Sequence, residues 1–302
     1  MPDAIIVRDI HKAYGQTRAV DGVSFEVTEG EFFGILGPNG AGKTTTLEII
    51  EGLRRPDSGE VSLLGSSPWP RNQALLPRIG VQLQASSFFQ RLTAREQIRT
   101  WASLYGVSAA KADAMLEVVG LDDKAGTQIQ KLSGGQAQRL SIAVALAHDP
   151  EVVFLDEPTS GLDPQARRNL WDLLRDINRQ GRTVMLTTHY LDEAELLCDR
   201  VAIMDHGKIL QNGSPAALVR GLDAPTRISV ESGVIPAGQA RELFDGADVA
   251  DDGVSLTVAT RDPGPVLAAL AERRALRGLA VRGATLEDVF LNLTGREYRD
   301  NE

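Results

Sequence analysis

The sequence predicts an α/β protein, a largely parallel sheet covered by helices, followed by a smaller α+β domain. One sign is Phe32-Phe33-Gly34-Ile35-Leu36, a continuous apolar run of the kind that parallel sheets bury on both faces. A second is alternation: short apolar runs take turns with stretches of helical spacing up to Met204. A third is the tail, where short strand and helix patterns from Arg227 onward follow the order βαββαβ.

Taken in order, Ala4 to Ile10, Val23 to Val27 and Val61 to Leu64 read as strands separated by Gly and Asp turns. Phe32 to Leu36 runs into a glycine-rich loop and then a helical pattern, Thr44 to Glu51. Ile79 to Leu83 is a further short strand. Between Leu92 and Leu121 the spacing is helical (Ile98, Trp101, Ala102, Tyr105, then Met115, Leu116, Val119), which marks a helical insertion over about 86–132. A helix from Leu140 to Ala147 precedes a buried strand, Val152 to Leu155. Asp163 is a good cap and Pro164 suits a first helical position, so a helix runs from Pro164 to Arg179. A strand (Thr183 to Thr187), a helix (Leu191 to Cys198), a strand (Val201 to Met204) and a hairpin turn at Asp205-His206-Gly207 complete this part.

Around Gly221 to Pro225 the character changes, which divides the chain into domains 1–222 and 223–302. The second reads as strand Arg227 to Glu231, helix Ala237 to Phe244, and strands Ala247 to Ala250 and Val254 to Ala259. Helix Val266 to Leu276 and strand Leu279 to Val281 follow, a ferredoxin-like order. Thr285 then caps a last helix from Leu286 to Leu293.

Composition narrows the function. Apolar residues make up 42% of the 302, enough for a sizeable core. The formal net charge of −9 argues against a nucleic-acid partner, which calls for a basic face. Cys198 is the single cysteine and cannot form an internal disulfide; a part-buried helical thiol is expected. No paired Cys/His spacing suggests zinc, the first residues lack the pattern of a secretory signal, and no run approaches the ~18 apolar residues of a spanning helix. The chain is expected to be soluble, or peripheral to a membrane through a partner.

The chemistry is concentrated in two motifs. Gly37-Pro38-Asn39-Gly40-Ala41-Gly42-Lys43-Thr44 fits the phosphate-loop pattern G-x-x-x-x-G-K-[ST], with Thr45 adjoining. Glycines let the backbone wrap round phosphates, and the following helix adds its positive end. Lys43 is placed to reach the β- and γ-phosphates of ATP and the Thr44 hydroxyl to ligate Mg²⁺. The second motif is Val152 to Leu155 running into Asp156 and Glu157, an apolar strand that delivers two acids to the carboxyl edge of the sheet. Asp156 suits Mg²⁺, and Glu157 suits a general base that polarises the attacking water.

Between these motifs lies Leu132-Ser133-Gly134-Gly135-Gln136-Ala137-Gln138-Arg139, which resembles the signature motif of ABC ATPases. Ser133 can cap a helix, and Gly134 and Gly135 allow close approach to an anion. Ser160-Gly161-Leu162-Asp163 is similar to the family's D-loop, and His189 resembles the switch histidine that contacts the γ-phosphate. Gln84 resembles the Q-loop glutamine that senses Mg²⁺ and the transmembrane partner; Gln82 competes, and the strand-end position favours Gln84. Tyr14 resembles the aromatic residue that stacks on adenine. Residues Ser133 to Gln136 and Asp163 join the expected ATP contacts.

The resemblance spans about residues 4 to 220 and implies a P-loop NTPase of ABC type: a RecA-like parallel core, an antiparallel β subdomain and a helical insertion. It also implies a two-fold dimer, because in the family each ATP lies between the phosphate loop of one subunit and the signature of the other. Thr285 to Gly295 is similar to the ending of ATPases that serve bacterial ABC-2 type drug- and antibiotic-resistance exporters. The expected activity is ATP hydrolysis that energises export through a separate multi-span permease, at the inner face of the cell membrane. An importer subunit and a soluble, non-transport ABC ATPase are the alternatives.

Overall fold

The computed structural model of the chain describes residues 2–82, 88–222 and 224–295. Strands β1 (Asp3–Tyr14) and β2 (Thr17–Thr28) form a long antiparallel hairpin. Asp9 takes a left-handed φ of 47° where the pairing register shifts between Val7 and Ile10, a bulge that bends β1. In β3 (Phe32–Leu36) every residue is buried, as a strand covered on both faces requires. Residues 37–42 lead into α1 (Lys43–Ile50), and β4 (Ser58–Leu63) joins the hairpin in the antiparallel order β2-β1-β4.

After β5 (Ile79–Gln82) come α2 (Ala94–Leu104) and α3 (Ala109–Val118). Thr93 and Glu96 form a capping box that starts α2, and Ser108 caps α3. Both pack with α4 (Gly134–Leu146) through Ile98, Ala102, Leu116, Leu121, Leu140 and Ala143. Helix α4 begins six residues before the expected Leu140, because its first turn is set by the Ser133 cap and carries no apolar spacing.

The central sheet is completed by β6 (Val152–Asp156), β7 (Thr183–Thr188), β8 (Arg200–Asp205) and β9 (Lys208–Gly213). Helix α5 (Pro164–Arg179) links β6 to β7, and α6 (Leu191–Leu197) links β7 to β8. Among the described residues the order is β5-β6-β7-β3-β8-β9, parallel except for the β8–β9 hairpin. Cys198 caps α6 instead of lying within it, and it is buried. Trp69 is 39% exposed, outside the core.

The chain falls into two compact units, the first running to Pro215 and the second beginning at Ala216. That point lies inside α7 (Pro215–Gly221), and the expected boundary at 222 and 223 lies at the far end of that helix. The second unit holds β10 (Thr226–Glu231), α8 (Ala237–Leu243), β11 (Asp248–Asp251), β12 (Ser255–Thr260), α9 (Pro263–Glu272), β13 (Ala280–Arg282) and α10 (Leu286–Thr294). Its antiparallel sheet has the order β11-β12-β10-β13, a split-βαβ arrangement. Ile228, Val230, Phe244, Leu256, Val258 and Leu270 form its core.

Candidate nucleotide-binding site

The carboxyl ends of three neighbouring strands, β6, β7 and β3, carry one cluster of polar side chains. The loop after β3 is fixed from two sides: Gly37 N donates to Thr188 O at 3.2 Å, and Gly207 N donates to Ala41 O at 2.9 Å. Glycine is required where this loop packs closest. Gly42 has φ 104°, and a Cβ there would stand 2.1 Å from Ala19 O; one on Gly37 would stand 2.2 Å from Met204 O. Gly42 caps α1 without a side chain, so the first helical amides have no side-chain acceptor. Such an end is an anion site by construction.

Lys43 is 4% exposed, with Nζ donating to Gly37 O at 2.8 Å and Pro38 O at 3.1 Å and lying 3.1 Å from Glu157 Oε1. Thr44 Oγ1 donates to Asp156 Oδ1 at 3.2 Å, and Thr187 Oγ1 donates to the same oxygen. Glu157 takes a left-handed φ of 45°, held there by two acceptors on Thr187: its N–H meets O at 3.2 Å and Oγ1 at 3.0 Å. His189 Nδ1 lies 3.1 Å from Glu157 Oε2.

These contacts set the charges. Burial raises the Asp156 carboxyl above the usual carboxylate range, and the Thr187 and Thr44 hydroxyls only partly offset it. Burial also acts on Glu157, but the His189 hydrogen bond and the Lys43 charge outweigh it and hold that carboxyl below its ordinary value. An ionised carboxylate with an imidazole on its second oxygen can take a proton from water. Thr187 was not foreseen from the sequence. Its signal is a hydroxyl on a wholly buried strand, which must find a partner.

A second group lies on α4 and α5. Ser133 Oγ accepts from Gln136 N at 3.3 Å, and the Gln136 side chain accepts from Ser133 N at 2.9 Å. Asp163 caps α5 through Gln165 N and Ala166 N. Ser133, Gly134, Gly135, Gln136 and Asp163 line one groove of about 320 Å³ that includes none of Lys43, Thr44, Asp156 or Glu157. Tyr14 is 44% exposed at the end of β1, with the Arg54 guanidinium 5.4 Å from its ring centre. Gln82 is buried at the end of β5, whereas Gln84 lies outside the described residues.

A family model described as ABC transporter matches residues 20–160, and one described as Nodulation factor export protein NodI, C-terminal domain, matches residues 251–295. The Nod factor export ATP-binding protein I of Paraburkholderia xenovorans (strain LB400) is 41% identical over 313 residues, covering 99% of this chain and 100% of that protein. Its counterpart from Rhizobium sp. (strain N33) is 39% identical, covering 97% of this chain and 98% of its own length. Among solved structures, cbiO1 from Clostridium perfringens, part of the ABC transporter complex cbiONQ, has TM-score 0.66 and 27% identity, covering 74% of this chain and 95% of that one. The ATP-binding cassette MJ0796, a post-hydrolysis dimer bound to ADP and Pi, has TM-score 0.63 and 29% identity over 70% of this chain and 98% of that one. The chain therefore belongs to the ATP-binding, ATP-hydrolysing subunits of ABC transporters.

Proposed function

We propose that this chain drives export through a separately encoded multi-span permease, working as a head-to-tail pair that encloses two ATP molecules. One observation carries the reading. The residues suited to phosphate and to water activation meet at one sheet edge, while Ser133, Gly134, Gly135, Gln136 and Asp163 line a different groove of the same chain. A two-fold pair brings one group of each kind to each ATP and closes without forming a fibre.

In this reading the amides of residues 37–42 and Thr45 bind the phosphates, Lys43 bridges the β- and γ-phosphates, and Tyr14 stacks on adenine. Glu157 takes the proton of the attacking water, and His189 orients Glu157 and reaches the γ-phosphate. The Mg²⁺ site fits the donor set: the Thr44 hydroxyl and the Asp156 carboxylate are hard oxygens, and a cation offsets the burial that raises Asp156. Thr44 and Asp156 would hold the ion, with Gln84 as a further ligand, and Mg²⁺ supplies charge neutralisation for the phosphates.

The permease surface is supported by an apolar cavity of about 360 Å³ in the first unit, lined by Glu51, Phe88, Trp101, Tyr105, Val144 and His148. Three buried polar atoms on that lining, Glu51 Oε1, Trp101 Nε1 and His148 Nδ1, have no hydrogen-bond partner. Such groups are costly unless something pairs with them. No described helix is long and apolar enough to cross a membrane; in this reading the chain meets the inner face of the membrane through the permease. The relatives' names attach export to Nod factors; the cargo class proposed here is a drug, antibiotic or other small amphipathic molecule. The acidic net charge fits a role without nucleic acid.

The decisive experiment is Glu157→Gln. ATP turnover should fall ~10²–10⁴ fold while ATP binding persists and the pair is trapped, as read by phosphate release and light scattering. Near-normal turnover would remove the role given to Glu157.

A further inference from the structure

Tyr190 follows His189 directly, and two side chains lie against its ring. The centre of the His189 imidazole is 4.1 Å from the centre of the Tyr190 ring, with the two planes tilted by 42°. The Arg167 guanidinium lies 3.8 Å from the same ring centre, close for a cation on an aromatic face. Arg167 Nε is buried and makes no hydrogen bond, so the ring receives this part of the guanidinium in place of an acceptor. The backbone is fixed as well: Tyr190 N donates to Thr188 Oγ1 at 2.9 Å, closing a turn round His189.

These contacts decide how the imidazole sits. The last torsion of a histidine side chain is soft. The contact of Nδ1 with Glu157 Oε2 at 3.1 Å does not by itself fix the plane of the ring. A second ring packed 4.1 Å away restricts it. The stack also has a far end. Arg167 lies on α5, and its backbone N–H donates to Asp163 O at 2.9 Å. Gln165, Ala166 and Asn169 of the same helix line the groove that holds Ser133 and Asp163. Contacts therefore run unbroken from the first turns of α5 through Arg167, Tyr190 and His189 to Glu157.

We propose that Tyr190 is a positioning residue for ATP hydrolysis: with Arg167 on its ring, it holds the His189 imidazole against Glu157. This rests on the roles assigned to Glu157 and His189 above. Tyr190 transfers no proton, so its ring and not its hydroxyl carries the effect.

The test compares ATPase kinetics of the full chain for Tyr190→Ala, Tyr190→Phe and Arg167→Met, with Tyr190→Ala repeated in a His189→Ala background. Tyr190→Ala should lower kcat by ~10 to 10² fold, the usual effect of misplacing a catalytic group by up to an ångström. KM for ATP should stay within roughly twofold, because the phosphate loop is untouched. Tyr190→Phe keeps the ring and its cation, so its kcat should stay within roughly twofold of wild type. Arg167→Met removes the cation but leaves the ring, so its kcat loss should be smaller than that of Tyr190→Ala, again at constant KM. In the His189→Ala background, Tyr190→Ala should slow single-turnover hydrolysis no further, since the ring acts through the imidazole. Should Tyr190→Ala not fold, Arg167→Met decides alone through the split between kcat and KM. Wild-type kcat in Tyr190→Ala, a rise in KM at constant kcat, an equal loss in Tyr190→Phe, or an undiminished further loss without His189 overturns the proposal. Near-normal turnover in His189→Ala instead overturns the role of His189 on which it rests.

Discussion

Lys43, Glu157 and His189 form a chain of polar contacts, each within 3.1 Å of the next. Because Glu157 is held below its ordinary carboxyl pKa, it stays ionised throughout the neutral and mildly acidic range. A fall in kcat between pH 8 and about pH 5 must therefore come from another group. A pH–rate profile of the wild type from pH 8 to about pH 5 checks this: kcat should not follow the titration of the Glu157 carboxyl in that range. Lys43→Ala deletes the cation at the loop and should abolish productive ATP binding, measured by nucleotide titration. At this scale the loop, Asp156, Glu157 and His189 were legible because each is a chemical type at a fixed distance from a strand end. Thr187 was not, because an isolated Thr gains meaning only from what faces it across strands far apart in sequence.

Among the elements, helix starts are fixed by side chains that close on their own backbones. Ser133 with Gln136 and Thr285 with Asp288 form capping boxes on α4 and α10. Thr285→Ala should destabilise its unit by about 1 kcal/mol, visible as a lower denaturation midpoint. Ser133→Ala should cost a similar amount and also impair the ATP-dependent pairing of copies, which the Thr285 change should leave intact. The same caps explain where the reading of elements fell short. Apolar spacing placed the start of α4 at Leu140, whereas the capping box places it at Gly134. Strand β1 continues to Tyr14 through His11 and Lys12, whose polar character hid it, because pairing with β2 resumes past the bulge at Asp9. Helix α7 escaped notice because only Leu218 is buried along it.

For the molecule as a whole, stability should decline with acid in two stages. His148 stacks on Tyr105 with ring centres 4.0 Å apart and donates from Nε2 to Ile79 O at 2.8 Å. Burial lowers its pKa below the ordinary 6.5, so the unfolded chain takes up the proton first and folding weakens as pH drops through about 6.5. Asp113, Asp149 and Glu151 are held down by Arg99, Arg182 and Arg78, so their contribution is present above about pH 4 and is lost below it. Melting temperatures recorded from pH 7 to pH 3 should show both stages, and His148→Gln should erase the first. In the assembled transporter, Trp101→Ala should weaken co-purification with the permease by removing an indole from the cavity lining.

The bond between the Lys43 ammonium and the Glu157 carboxylate has one more implication. In the proposed mechanism, the ammonium engages the carboxylate that serves as proton acceptor. Only a visitor anionic enough to draw the ammonium away frees that acceptor, which makes arrival of the fuel and arming of the hydrolytic group a single event.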